Sequence, residues 1–314
     1  MRGNSVCAIL ALVGSVYGAR PVVMWHGLGD SYNSGGMTRV TAVLKEVHED
    51  IFVHSVYLDE DPKKDSNLSL LGKLDDQLAA VCEQLANIPE LEDGFDGLGF
   101  SQGGLLLRAY VERCNKPRVH NLITFGSPQN GVAEIPRCRA RDFACRQRNA
   151  ILKSQVYSSY AQNKITAAQY FRDPERLDEY LEMSGFLADV NNERDFYNTT
   201  YADNLASLNK LVLYMFTEDK TVVPKESAWF ADVDKKSGEV TPLYERNIYN
   251  RLGLNKLGDR IEMFSLEGRH MNITNSTVMM VAEKYLGSTS VPESVQKGAY
   301  MIDSNPDGQV AVQL

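Results

Sequence analysis

The run Phe95-Asp96-Gly97-Leu98-Gly99-Phe100-Ser101-Gln102-Gly103-Gly104-Leu105-Leu106-Leu107-Arg108 sets the reading of the whole chain. Residues 95–100 read as a short strand and residues 105–113 as a helix. Between them Ser101 stands in a Gly-x-Ser-x-Gly turn. A serine held on so tight a strand-to-helix turn points its hydroxyl away from the sheet, and glycines two residues to either side let the flanking backbones pack without Cβ clashes. Gly104 adds further room.

The same alternation extends outward in both directions. Upstream, residues 21–25 and 51–58 read as strands. Met37, Val40, Val43, Leu44 and Val47 recur at helical spacing, as do Leu74, Leu78, Val81, Leu85 and Ile88. Downstream, residues 119–125, 211–216 and 261–266 read as strands and residues 277–286 as a closing helix. Strands separated by helices predict a mostly parallel sheet covered on both faces. The pattern breaks after Gly126. Residues 132–209 hold no convincing strand but contain helical stretches at 154–170 and 174–183, so they are read as a helical insertion forming a cap. The fold class is therefore α/β, of the α/β-hydrolase type, with a catalytic domain over residues 20–287. The Ser-, Pro-, Gly- and Asp-rich residues 288–314 read as a flexible tail.

Residues 1–19 have the layout of a cleaved signal peptide. Arg2 precedes an apolar run over residues 6–17, and the exit is marked by Gly18 and Ala19. That run is too short to span a bilayer, and no later segment reaches ~20 apolar residues, so no transmembrane anchor is expected. Four cysteines remain beyond it: Cys82, Cys114, Cys138 and Cys145. In an oxidising compartment an even number favours disulfides, and three pairings are possible. Cys138 with Cys145 would close a short local loop, so that pairing, together with Cys82 and Cys114, is preferred among the three. Sequons begin at Asn67, Asn198, Asn272 and Asn275, as suits a glycoprotein of the secretory pathway, either secreted or sent to a lysosome or vacuole. The cysteine spacing does not suit zinc, so neither metal nor cofactor is expected. Net charge is −8 and no dense Lys/Arg run occurs, which argues against nucleic acid as a partner.

A serine hydroxyl becomes nucleophilic only beside a base, which in this fold follows the nucleophile and the acid in chain order. Of five histidines only His270 lies in the C-terminal half, just after the strand at 261–266. The acid belongs on the loop after the strand at 211–216, where Asp219 is preferred to its neighbour Glu218. An acyl-transfer intermediate also needs two N–H donors. The amide of Gln102 is one, and Leu28, in the turn His26-Gly27-Leu28-Gly29, is the expected second. His26 is assigned a structural role.

Several stretches go beyond generic hydrolase chemistry: VVMWHGLGDS from Val22, GFSQGG around Ser101, FLADVNNER from Phe186, AWF from Ala228, YNRLGL from Tyr249 and EGRH ending at His270. On these the chain resembles the palmitoyl-protein thioesterases, lysosomal type 1, over residues 21–287. The resemblance implies a triad of Ser101, Asp219 and His270, an oxyanion hole from the Leu28 and Gln102 amides, and disulfides Cys82–Cys114 and Cys138–Cys145. Two departures stand out. Tyr32 and Asn33 replace the adjacent cysteines of animal members, and Gly126-Ser127-Pro128-Gln129 replaces a Gly-Gly-Gln-His segment. The implied activity is depalmitoylation. Ser101 attacks the acyl carbonyl of a cysteine thioester, the thiol leaves, and water activated by His270 releases the fatty acid. S-palmitoylated proteins or peptides and fatty acyl thioesters are the implied partners. The alternative is a secreted lipase or carboxylesterase, which would cleave oxyesters with the same residues.

Overall fold

Short apolar runs supply the strands of the computed structural model, which describes residues 18–134 and 153–288. They are β1 (Val22–Trp25), β2 (Val53–Ser55), β3 (Phe95–Phe100), β4 (Val119–Phe125), β5 (Lys210–Phe216), two short strands β6 (Asp232–Val233) and β7 (Val240–Thr241), and β8 (Ile261–Leu266). Six of them form one sheet in the order β2-β1-β3-β4-β5-β8, and every pairing in it is parallel. The parallel sheet expected from the sequence is thus present, and among the described residues all of its pairings run the same way. β6 and β7 pair antiparallel as a separate ribbon. The inner strands β1 and β3 are buried along their full length, which is why they read as continuous apolar runs rather than alternating ones.

Successive side chains point to opposite faces. Val22, Met24, Leu98, Phe100, Ile123 and Phe125 face α1 (Gly35–Val47) and the C-terminal helix. Val23, Trp25, Leu122, Leu211 and Leu213 face the other layer. That layer includes α3 (Leu74–Ala86) and α4 (Gln102–Arg113), which follow the short α2 (Pro62–Leu70). Between β4 and β5 come α5 (Ser159–Lys164), α6 (Thr166–Gln169), α7 (Leu177–Met183), α8 (Leu187–Val190) and α9 (Thr199–Ala206). The later helices are α10 (Asn247–Arg251) and the C-terminal α11 (Asn275–Tyr285).

Four differences from the sequence reading are physical. The helix expected from residue 105 starts at Gln102, because Gly103 and Gly104 join its first turn. The strand expected over 51–58 is only three residues long. The helix expected over 154–170 breaks at Ile165, which forms an isolated antiparallel bridge with Leu71. Helix α9, at the end of the expected insertion, packs against α4 and contributes no residue to the cavity at Ser101 described below. A disulfide joins Cys82 in α3 to Cys114 at the end of α4. Cys138 and Cys145 lie outside the described residues, as do most of the expected signal peptide and tail. Among the described residues no helix is long and apolar enough to cross a membrane.

Candidate active site

Strand β3 delivers Ser101 into a backbone conformation of φ 51° and ψ −122°, which costs a side-chain-bearing residue ~1–3 kcal/mol. The surrounding structure holds it there. The Ser101 amide donates to the Phe125 carbonyl at 2.8 Å, and the Gly104 amide donates to the Ser101 carbonyl at 3.0 Å. A Cβ on Gly99 would stand 2.2 Å from the Cα of Gly104, so the start of α4 rests directly on the strand and no side chain fits between them.

Two further loops leave the same sheet edge. After β5, the Asp219 carboxylate is almost fully buried, and its Oδ1 accepts from the amides of Thr221 (2.8 Å) and Val222 (3.0 Å). After β8, His270 places Nδ1 2.6 Å from Asp219 Oδ2 and Nε2 3.0 Å from Ser101 Oγ. The edge of the His270 ring meets Phe216, with centroids 6.1 Å apart. The two loops are tied together: Glu218 N donates to the Gly268 carbonyl and Gly268 N to the Thr217 hydroxyl. Glu218 itself is exposed. This geometry lets an imidazole take the serine proton while a carboxylate fixes its tautomer and offsets the charge it acquires.

The turn after β1 lies against Ser101, since a Cβ on Gly27 would stand 3.1 Å from that of Ser101. Among the described residues the Leu28 and Gln102 amides have no protein acceptor. Gln102 opens α4, where first-turn amides lack an intrahelical partner. His26 turns away from the serine and is buried, with Nδ1 2.9 Å from the Gly27 carbonyl oxygen and Nε2 3.2 Å from Asp65 Oδ2.

Asp65 and Ser69, on the buried face of α2, were not anticipated from the sequence. Asp65 accepts from the amides of Tyr32 and Leu58, both at 2.8 Å. Burial works against its charge, yet the contact with His26 and these two amides hold its carboxyl below the usual range. Ser69 Oγ accepts from the Gly29 amide at 2.7 Å. The Asp61-Pro62 pair that begins α2 is a helix-start signal that could have revealed it, since Asp61 caps the Lys63 amide.

A cavity of about 270 Å³ reaches Ser101, His270 and Leu28. Its walls are mostly apolar. Met37 and Val40 come from α1, Met271 and Ile273 from the loop after β8, and Ala167 and Tyr170 from the insertion. Pro128, in the segment that departs from the resembled pattern, lines it as well. Behind Pro128, the side-chain oxygen of Gln129 accepts from the buried Arg108 of α4 at 2.7 Å. Arg108 also meets Glu112 at 2.7 Å and Asn191 at 2.7 Å, anchoring the cavity wall to the helix behind Ser101. No cluster of metal-ligating side chains occurs among the described residues.

A family profile described as palmitoyl protein thioesterase matches residues 21–270. Palmitoyl-protein thioesterase 1 of Caenorhabditis elegans is 36% identical over 276 residues, covering 84% of this chain and 91% of the relative. Palmitoyl-protein thioesterase 3 of Dictyostelium discoideum is 36% identical over 265 residues, covering 83% and 88%. The lysosomal thioesterase PPT2 of Rattus norvegicus is 29% identical over 233 residues, covering 74% of each.

Proposed function

The chain belongs to the palmitoyl protein thioesterase family, and from that premise we propose that it removes long-chain fatty acyl groups, palmitate foremost, from cysteine thioesters of lipidated proteins or peptides. One observation carries the catalytic roles: a single imidazole, His270, lies within hydrogen-bond distance of both Ser101 Oγ (3.0 Å) and Asp219 Oδ2 (2.6 Å). In this reading Ser101 is the nucleophile. His270 takes its proton as the acyl carbonyl is attacked, and Asp219 steadies the resulting imidazolium. The oxyanion that forms is held by the Leu28 and Gln102 amides, whose lack of a protein acceptor among the described residues supports the role. The tetrahedral intermediate collapses, the C–S bond breaks and the cysteine thiolate leaves. With a pKa of about 8.5 the thiolate departs with little help from an acid, and it then takes the proton from the His270 imidazolium and leaves as the free thiol, which returns the imidazole to its neutral form. Water then enters, His270 removes its proton, and attack on the acyl-enzyme frees the fatty acid and restores the serine.

The mostly apolar cavity at Ser101 supports an acyl chain as the group accommodated. Residues 1–19 act as a signal peptide, and the destination we propose is the lysosome, as the name of the rat relative suggests. The four sequon asparagines, Asn67, Asn198, Asn272 and Asn275, are all exposed, which suits glycosylation. Cys138 pairs with Cys145 in this reading.

The test has two arms. A fluorophosphonate probe should label the wild type and leave Ser101→Ala unlabelled. Turnover of a palmitoyl-cysteine peptide should exceed that of a triglyceride and of a short oxyester. A strong preference for the latter two would remove the thioesterase reading in favour of a lipase or carboxylesterase.

A further inference from the structure

We propose that α2 positions the oxyanion hole, with Asp65 and Ser69 as its positioning residues; this rests on the reading of Ser101, Leu28 and Gln102 given above. Helix α2 buries only these two polar side chains, one turn apart on the same face, and no apolar one. A surface helix normally buries an apolar stripe. Here the buried side chains are instead hydrogen-bonding groups, which meet His26 and Gly29, the residues close on either side of Leu28, while the Ser69 carbonyl meets the Gln102 side chain.

The Leu28 amide is held from both sides. On its N-terminal side His26 contacts Asp65 at 3.2 Å. On its C-terminal side the Gly29 amide donates to Ser69 Oγ at 2.7 Å, while the Gly29 carbonyl accepts from the Ser66 hydroxyl at 2.8 Å. Asp65 itself is fully buried and spans the Tyr32 and Leu58 amides, which fixes the helix against the ends of both loops. The second donor is reached from the same helix. The Gln102 side-chain amide donates to the Ser69 carbonyl at 2.9 Å. That carbonyl also accepts from the Thr166 hydroxyl at 2.8 Å, one residue before Ala167 in the cavity wall. One residue of α2 therefore joins the Leu28 loop, Gln102 and the insertion. Gly27 packs on Ser101 and Gly103 packs on the Trp25 and His26 carbonyls, which sets how closely the two loops approach, but among the described residues no backbone hydrogen bond ties the Leu28 turn to α4. The α2 hydrogen bonds lock the turn in that approach.

Donors that stabilise a transition state must be in place before charge develops, and small displacements are costly. Loosening the clamp should therefore lower kcat while leaving ground-state binding in the acyl cavity alone. The experiment compares full-length wild type with Ser69→Ala, Asp65→Asn and Gln102→Met, the last of which removes a side-chain tie but keeps the backbone amide. Each is assayed for kcat and KM on a palmitoyl-cysteine peptide. Each is also titrated with a palmityl trifluoromethyl ketone, whose adduct with the serine carries an oxyanion, and with palmitate. The expected result is a fall in kcat of roughly ten- to hundredfold. KM and palmitate affinity should stay within about twofold, with ketone affinity falling in step with kcat. Unchanged kcat in Ser69→Ala and Gln102→Met would overturn the clamp, as would parallel losses of kcat and palmitate affinity. An active wild type with such results would leave the functional reading standing. A wild type that neither turns over acyl substrate nor labels with fluorophosphonate would overturn both.

Discussion

Asp219 divides its carboxylate between His270 and its own loop: Oδ2 lies 2.6 Å from the imidazole Nδ1, and Oδ1 is held by two backbone amides at 2.8 and 3.0 Å. The amides fix which oxygen is presented, and the presented oxygen fixes the tautomer that leaves Nε2 free to accept the Ser101 proton. The neighbouring Glu218 points into solvent.

Asp219→Asn should therefore fold normally but lose about 10⁴-fold in kcat, because the amide favours the wrong imidazole tautomer. Glu218→Gln should keep kcat within about twofold, as expected of a solvated surface charge. Steady-state kinetics and circular dichroism on the two variants decide the matter. Activity retained in the first and lost in the second would reverse the choice of acid.

At the opposite end of β3, Asp96 is buried and accepts from the amides of Asn121 (3.1 Å) and Gly287 (3.0 Å), with Arg20 at 3.7 Å. Burial outweighs these contacts and pushes its carboxyl up to about 7. In the unfolded chain an aspartate titrates near 3.9. The folded state thus binds the proton more tightly, so this contribution to stability is full below about pH 4 and is lost as pH rises through about 7. Melting temperature should accordingly fall between pH 4.5 and 7.5. Asp96→Asn should flatten that part of the profile, and an unchanged slope in the variant would assign the effect elsewhere.

The Cys82–Cys114 bridge ties α3 to the end of α4, across a separation of 32 residues. Replacing both cysteines by alanine should lower stability by about 2–4 kcal/mol, chiefly by freeing the unfolded chain. Urea unfolding of the double variant measures this. Its kcat at 25 °C should stay near that of the wild type, since the bridge lies at the far end of α4 from Ser101.

The strands that carry the site were legible because they are short, apolar and bounded by turn residues. β3, β4 and β8 occupy the residues read from the sequence. The candidate triad was legible for a related reason: fold order left one histidine and one acidic turn in the right places. Helix α2 was not, because its buried positions are Asp65 and Ser69 and no apolar period marks them. The start of α4 was misjudged because paired glycines read as turn until the sheet packs against them. The place of α9 was missed because nothing local distinguishes a helix that packs on another helix from one that covers a cavity. Its packing against α4 does that.

Since every strand of the main sheet runs in one direction, Ser101, Asp219 and His270 all emerge at one rim, each from a strand already held by its neighbours. The segment between Phe125 and Lys210 is anchored to α4 through Gln129 and Asn191, yet its wall residues Pro128, Ala167 and Tyr170 lie on none of the strands that deliver the three. Evolution can refit the substrate-facing wall of such a protein while inheriting its reactive centre intact.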